Sequence, residues 1–160
     1  MIVNSTLLYI RRDDCYLMLH RTKKEQDINK DKWLGIGGRL EPGESPYDCI
    51  IRETVEETSI ALSPAQLSYR GLVSFVDGDY TEHMHLFTAA TTSDCSGVCD
   101  EGELCWVDIS RLLELELWEG DRIFLSLIKD PSTPFFSLKL IYSDGELKEA
   151  YLNGENMTVK

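Results

Sequence analysis

Apolar residues in this chain fall in short runs cut by glycine, proline and charged clusters, the rhythm of strands rather than of long helices. Residues 3–10 and 15–21 predict two strands either side of Arg11-Arg12-Asp13-Asp14. Residues 67–76 and 83–90 predict two more around Asp77-Gly78-Asp79, and 104–107 a short one. Residues 135–142 and 147–152 alternate around Ser143-Asp144-Gly145, a hairpin signal. The polar stretches 22–32 and 91–102 predict loops, and 33–44, WLGIGGRLEPGE, with four glycines and a proline, an irregular loop. A short helix is expected within 108–116, and a second main helix over 122–129 with Asp121 as its cap. Strands mixed with two main helices point to an α+β or sandwiched α/β domain.

The strongest helical window is 45–58, SPYDCIIRETVEET. Ser45 is the expected cap, Pro46 suits the first helical position, and Asp48 completes a capping box. At about 100° per residue, Tyr47, Ile50, Ile51, Thr54, Val55 and Thr58 share a core-facing side. Glu53, Glu56 and Glu57 gather roughly opposite, neighbours about 5–6 Å apart at Cβ. Like charges at that spacing weaken a helix, and the helix dipole disfavours anions in the C-terminal half. Either this is a solvated acidic face relieved by basic neighbours, or the carboxylates hold a hard cation such as Mg²⁺ or Mn²⁺.

Composition narrows the partners. The 160 residues carry 28 acidic and 16 basic side chains, a net charge of −12. That charge repels duplex nucleic acid and anionic membranes, and a phosphorylated ligand needs a cation to approach. Length and the 42% hydrophobic content suit one globular domain over 1–160. No apolar run approaches the roughly 18 residues of a membrane helix, and Arg11 to Asp14 break any signal-peptide core. Five cysteines without a second metal-spaced pair read as free thiols of a reducing compartment, the cytoplasm.

Ahead of the helix stand Gly37, Gly38 and Glu44; within it are Arg52-Glu53 and Glu56-Glu57. The segment GRLEPGESPYDCIIRETVEETSI resembles the Nudix box, G-x5-E-x7-R-E-U-x-E-E-x-G-U, with U a bulky aliphatic residue. Gly38, Glu44, Arg52, Glu53, Glu56, Glu57 and Ile60 match; Thr54 replaces the usual aliphatic residue and Ser59 the glycine that ends the helix. A non-glycine left-handed cap costs on the order of 1 kcal/mol without touching the carboxylates. Beyond the box, Trp33, Gly35, Cys105-Trp106, Trp118 and Phe135-Phe136 are similar to features of the MutT-like 8-oxo-dGTP diphosphatases.

The resemblance implies a Nudix-type α/β/α sandwich with a central mixed β-sheet and a Mg²⁺-dependent diphosphatase, Mn²⁺ substituting. It implies Glu53, Glu56, Glu57 and the Gly37 carbonyl as metal ligands, with Glu101 a further ligand or base and Asp100 and Glu103 its competitors. A water attacks phosphorus and a glutamate takes its proton. Glu44 and Arg52 are expected to brace loop to helix by an ion pair. Thr6, Arg21 and Gly38 are expected near the nucleotide, and Trp118, Glu119 and Asp121 around the base. His83 and His85 are expected to be ordinary strand residues. Leu34 and Gly120 stand where that branch has polar base readers. The implied reaction converts a small nucleotide, a purine triphosphate such as 8-oxo-dGTP, to monophosphate and pyrophosphate. The alternatives are another nucleoside diphosphate derivative (ADP-ribose, a dinucleoside polyphosphate) or a non-catalytic nucleotide sensor. Nothing in the sequence fixes the oligomeric state.

Overall fold

The structure, a computed structural model, describes residues 1–23, 25–93, 98–99 and 102–157. Among these, ten strands form one sheet. They are β1 (Ile2–Arg12), β2 (Cys15–Arg21), β3 (Trp33–Leu34), β4 (Leu67–Asp77), β5 (Tyr80–Ala90), β6 (Val98–Cys99), β7 (Gly102–Asp108), β8 (Phe136–Ser143), β9 (Glu146–Leu152) and β10 (Glu155–Asn156). Their order is β10-β9-β8-β4-β5-β1-β2-β7-β6, with β3 beside β2. β1 runs parallel to β5 and β4 parallel to β8, whereas the hairpin pairs are antiparallel, so the sheet is mixed.

Strand alternation sends successive side chains of β1 to opposite faces. Leu8 and Ile10 join a core with Leu17, Leu19, Phe87 and Ile50, the last from α1 (Pro46–Thr58). Leu7 and Tyr9 join the other core with Met18, Leu86 and Leu138, under Phe124, Leu125 and Ile128 of α2 (Glu119–Ile128). One helix on each face of a mixed sheet is the α/β/α sandwich that the sequence predicts.

The local signals around α1 hold. Ser45 caps with the Asp48 capping box, Pro46 opens the helix, and Ser59 ends it at φ 64°. Three expectations need correction. Val55 is 46% exposed rather than buried, and Cys49 takes a place in the interior. The buried edge of the helix is shifted toward the 37–39 loop, which covers the side bearing Cys49, Glu53 and Glu57. The second helix begins at Glu119, three residues early, with Trp118 at its N-cap and Asp121 in its first turn, so Asp121 is not the cap. A cap is replaced there by Tyr142, whose hydroxyl accepts the otherwise orphaned Gly120 N–H at 2.7 Å. β5 also starts earlier than expected, at Tyr80, which draws Glu82 into the sheet.

Candidate active site

The glycine loop is fastened to β1 residue by residue. Thr6 N–H donates to the Gly38 carbonyl at 2.8 Å, and Leu8 and Ile36 exchange backbone bonds at 2.6 and 2.9 Å. The Thr6 hydroxyl also donates to the Gly38 carbonyl, at 3.2 Å, and lies 3.3 Å from the buried Cys49 thiol. Thr6 therefore holds the loop down as well as bordering the cavity below. Cys49, a small apolar residue beneath the loop, carries no signal in the sequence pattern.

Glu53 and Glu57 do not sit opposite the core. The Glu53 side chain is only 16% exposed and packs against Gly38 so closely that a Cβ there would lie 2.2 Å from Glu53 Oε2. Glu57 Oε1 accepts the Gly37 N–H at 3.1 Å. Glu56 is 56% exposed and turned toward Arg52 Nη1 at 3.2 Å. The solvated-face reading thus fits Glu56 but not the other two, which are held against the loop.

Arg52 offsets this concentration of charge. It grips Glu44 with two bonds, Nε to Oε2 at 2.7 Å and Nη2 to Oε1 at 2.9 Å, and reaches Glu53 at 3.1 Å and the Arg39 carbonyl at 3.2 Å. A bidentate fork of this kind positions as well as attracts. The Arg52 fork, aided by the Glu41 backbone N–H, holds the Glu44 carboxyl down at about 2. Glu44 and Arg52 are arranged as the loop-to-helix brace that the resemblance implies.

A metal is tested here by its donors. Among the described residues, no three His, Cys, Asp or Glu side chains converge on one point as they stand. The group nevertheless suits a hard divalent cation in kind: its donors are carboxylates and carbonyls, and two of the acids are already fixed. The third, Glu56, has only a partly exposed ion pair to give up, worth about 1 kcal/mol or less. Glu101 and its competitor Asp100 lie outside the described residues; Glu103 is exposed on β7.

Beside the loop opens a cavity of about 620 Å³, within the range that holds small molecules. Its floor is the sheet face carrying Ser5 and Leu7 from β1, Glu82 and Met84 from β5, and Phe75 and Asp77 from β4. Gly37, Gly38, Thr6, Arg21, Leu34, Trp118 and Asp121 also border it. Trp118 meets Tyr142 and Phe75 edge-on at 5.5 and 6.2 Å, and its indole N–H donates to Asn29 Oδ1 at 2.8 Å. Arg21 reaches the cavity with its Nε paired to Asp27 at 3.0 Å. Asp27, within the polar 22–32 stretch, also accepts the Asn29 N–H at 3.0 Å and so shapes that loop.

Asp121 and Glu119 part company. Asp121 is 6% exposed, and its carboxyl accepts no hydrogen bond from the described residues. Burial pushes it up to about 7, against the opposing charges of Lys32 and Arg122. Glu119 is exposed, borders no part of the cavity and faces Arg122 at 3.4 Å, which corrects its expected place at the base. Successive positions of one helical turn point in different directions, so only one of the two acids faces inward. Gly120 between them packs on β8, where a Cβ would lie 2.4 Å from Leu140 Cδ1.

The histidines are ordinary strand residues, as expected. His83 Nδ1 lies 2.8 Å from the Ser74 hydroxyl, and His85 Nδ1 bonds the Tyr69 hydroxyl. No helix among the described residues is long and apolar enough to cross a membrane.

A mixed sheet between two helices, with a braced glycine loop over paired glutamates, defines the class. The NUDIX domain model matches residues 2–128, and the chain belongs to the Nudix family, with MutT-like structural neighbours. It is a Nudix hydrolase, an enzyme acting on phosphoanhydride bonds, a family that acts on small nucleotide substrates and generally uses divalent metal ions. It is 32% identical over 125 residues to the uncharacterized Nudix hydrolase YvcI of Bacillus subtilis, covering 74% of each chain. It is 23% identical over 105 residues to an oxidized purine nucleoside triphosphate hydrolase of Danio rerio, covering 66% of this chain and 67% of that one. Its fold matches the crystal structure of a mutator MutT protein from Bacillus halodurans with a TM-score of 0.82 and 25% identity, over 96% of this chain and 99% of that one.

Proposed function

We propose that this Nudix hydrolase cleaves a purine nucleoside triphosphate, with oxidised forms such as 8-oxo-dGTP among its substrates, to the monophosphate and pyrophosphate. The observation that carries the reading is Asp121: a buried carboxyl that accepts no hydrogen bond among the described residues, on the wall of the cavity that Trp118 also borders. A buried polar group without a partner is costly unless a ligand satisfies it. Near neutral pH, with its carboxyl at about 7, Asp121 supplies either a donor or an acceptor to a base edge. Trp118 and Phe75 supply the aromatic surface on which a purine stacks. The distant relative from Danio rerio, named for oxidized purine triphosphates, favours the same substrate class.

Glu53, Glu56, Glu57 and the Gly37 carbonyl are the residues that would hold Mg²⁺, or Mn²⁺ in its place. When bound, the ion screens the phosphates and polarises their oxygens. The chain's own contribution is to set Glu53 and Glu57 against the loop, to brace that loop through Glu44 and Arg52, and to take a proton from the attacking water on a glutamate. Residues 1–160 act as one domain in this reading, in the cytoplasm, where free thiols such as Cys15, Cys49 and Cys105 persist. The net charge of −12 argues against duplex nucleic acid or an anionic membrane as partner.

The test is pyrophosphate release with Mg²⁺ over a panel of 8-oxo-dGTP, dGTP, GTP, dCTP and ADP-ribose. Metal-dependent release of pyrophosphate, fastest from purine triphosphates, is the expected result. Turnover confined to ADP-ribose, or none at all, rejects the reading.

A further inference from the structure

Besides Asp121 the cavity is bordered by Asp77 and Glu82, and Glu82 has no role in the purine triphosphate reading. Glu82 lies on the cavity floor, one strand position pair before Met84. Its two oxygens are held separately: Ser5 Oγ donates to Oε2 at 2.6 Å and Tyr80 OH donates to Oε1 at 2.6 Å. Ser5 is buried, and Arg39 Nη2 backs Tyr80 at 3.5 Å, so the carboxylate is aimed from two sides. An ionised carboxylate offers about four acceptor sites, of which these bonds use two. Others remain for a donor inside the cavity.

Charge decides what that donor is. Glu82 and Asp77 border the cavity together with Arg21, which is paired to Asp27, and Arg39, so the floor around Glu82 is acidic and disfavours phosphates. Phosphates belong at the Gly37–Gly38 edge, near Arg52 and the glutamates of α1. The nucleoside end is what the acidic interior accepts. Glu82 is also placed away from Asp121. Glu82 stands on β5, whereas Asp121 enters the cavity from the first turn of α2. Two acids carried by different elements border one cavity and offer a nucleoside two separate acceptors. Leu34 offers no polar contact, so an additional acceptor on β5 supplies discrimination that β3 does not.

We infer that Glu82, aimed by Ser5 and Tyr80, is a specificity-determining residue that accepts a hydrogen bond from a neutral donor on the nucleoside. The donor is either the ribose 2′-hydroxyl or the exocyclic amino group of guanine, which share the chemistry. This rests on the purine triphosphate reading above.

The experiment compares kcat/KM for GTP, dGTP and ITP in the parent and in Glu82→Gln, with Mg²⁺. Losing a bond to a charged acceptor reduces kcat/KM on the order of ten-fold or more, and only for substrates carrying the donor. A drop on GTP and ITP but not dGTP identifies the 2′-hydroxyl; a drop on GTP and dGTP but not ITP identifies the amino group. The loss is expected in KM with kcat nearly unchanged, because the bond is made to the nucleoside rather than to the reacting phosphates, and Glu82→Asp is expected to restore part of the ranking. An equal effect on all three substrates, or none, overturns the inference while leaving the purine reading intact. A parent that turns over none of the three overturns both. Should Glu82→Gln fail to fold, Tyr80→Phe, which removes one of the two aiming donors, is expected to give the same ranking at smaller amplitude; an unchanged ranking overturns the inference.

Discussion

The Gly120 amide nitrogen lies 2.7 Å from the Tyr142 hydroxyl, a bond that ties the first turn of α2 to β8. It explains why the helix begins at Glu119 without a polar cap, and why position 120 carries no side chain. Gly120→Asp, which would create adjacent acids with Asp121, is therefore expected to destabilise rather than to improve base recognition. Forcing atoms into the contact with Leu140 and Tyr142 costs about 1–3 kcal/mol. Urea denaturation of parent and variant checks this; an unchanged midpoint rejects it.

Glu44 should govern part of the acid limb of stability. Its folded pKa is about 2, held below the ordinary 4.5 by Arg52. A carboxyl depressed in this way stabilises the fold above about pH 4.5 and loses that contribution as pH falls toward 2. Glu44→Gln should lower the thermal midpoint at pH 7 and flatten its dependence between pH 4.5 and 2. Parallel pH profiles for parent and variant would show that Arg52 does not depend on Glu44.

Local chemistry made part of this molecule legible. The Ser45–Asp48 capping box, Pro46 and the left-handed Ser59 sit within one segment, so the sequence marks α1 closely. The family resemblance carried by Gly38, Glu44, Arg52 and the glutamates likewise implies the brace. What the sequence left hidden depends on tertiary neighbours. A helical wheel places Glu53 and Glu57 away from the core because it does not know that the 37–39 loop folds over them. Glu82 escaped because a turn signal at Asp77-Gly78-Asp79 does not say how soon pairing resumes, and β5 resumes at Tyr80. Asp121 looks like a cap until Tyr142 takes that task.

Glu57→Gln should leave the protein folded and abolish most turnover. The glutamine carbonyl still accepts the Gly37 N–H, and removing one of two like charges at i, i+4 relieves a few tenths of a kcal/mol. The thermal midpoint should hold or rise while pyrophosphate release falls at least about a hundred-fold, the scale of a lost acid–base group. Activity within a few-fold of the parent would remove Glu57 from the machinery.

Millimolar Mg²⁺ or Mn²⁺ should raise the thermal midpoint, because a ligand of the native state stabilises it by mass action. The shift should shrink in Glu53→Gln, whose acid is fixed against Gly38. No shift in the parent, with no heat on calorimetric titration, would mean that the carboxylates hold no ion.

Asp121 should set stability against substrate choice. Burial raises its pKa from 3.8 to about 7, whereas in the unfolded chain it ionises near 3.8. A raised acid costs stability: the cost is absent below pH 3.8, grows as pH climbs and levels off above about 7. Three pKa units correspond to roughly 4 kcal/mol at the plateau, an upper figure because the chain relaxes around the charge. Asp121→Asn cannot ionise, so it should be more stable than the parent at pH 8 and nearly equal to it at pH 4. The same change fixes the group as an amide and removes the carboxyl's switch between donor and acceptor. Its kcat/KM for 8-oxo-dGTP should fall by roughly ten- to a hundred-fold, with dCTP little affected because a pyrimidine on this wall gains less from Asp121. Trp118→Ala should show the same substrate ranking, from loss of stacking worth about 1–3 kcal/mol, without the pH-dependent gain in stability. Glu119→Gln, which alters an exposed acid outside the cavity, should change neither measurement. If Asp121→Asn gains no stability at pH 8, burial of the charged carboxyl is not costly. If it also loses no discrimination, Asp121 does not read the base.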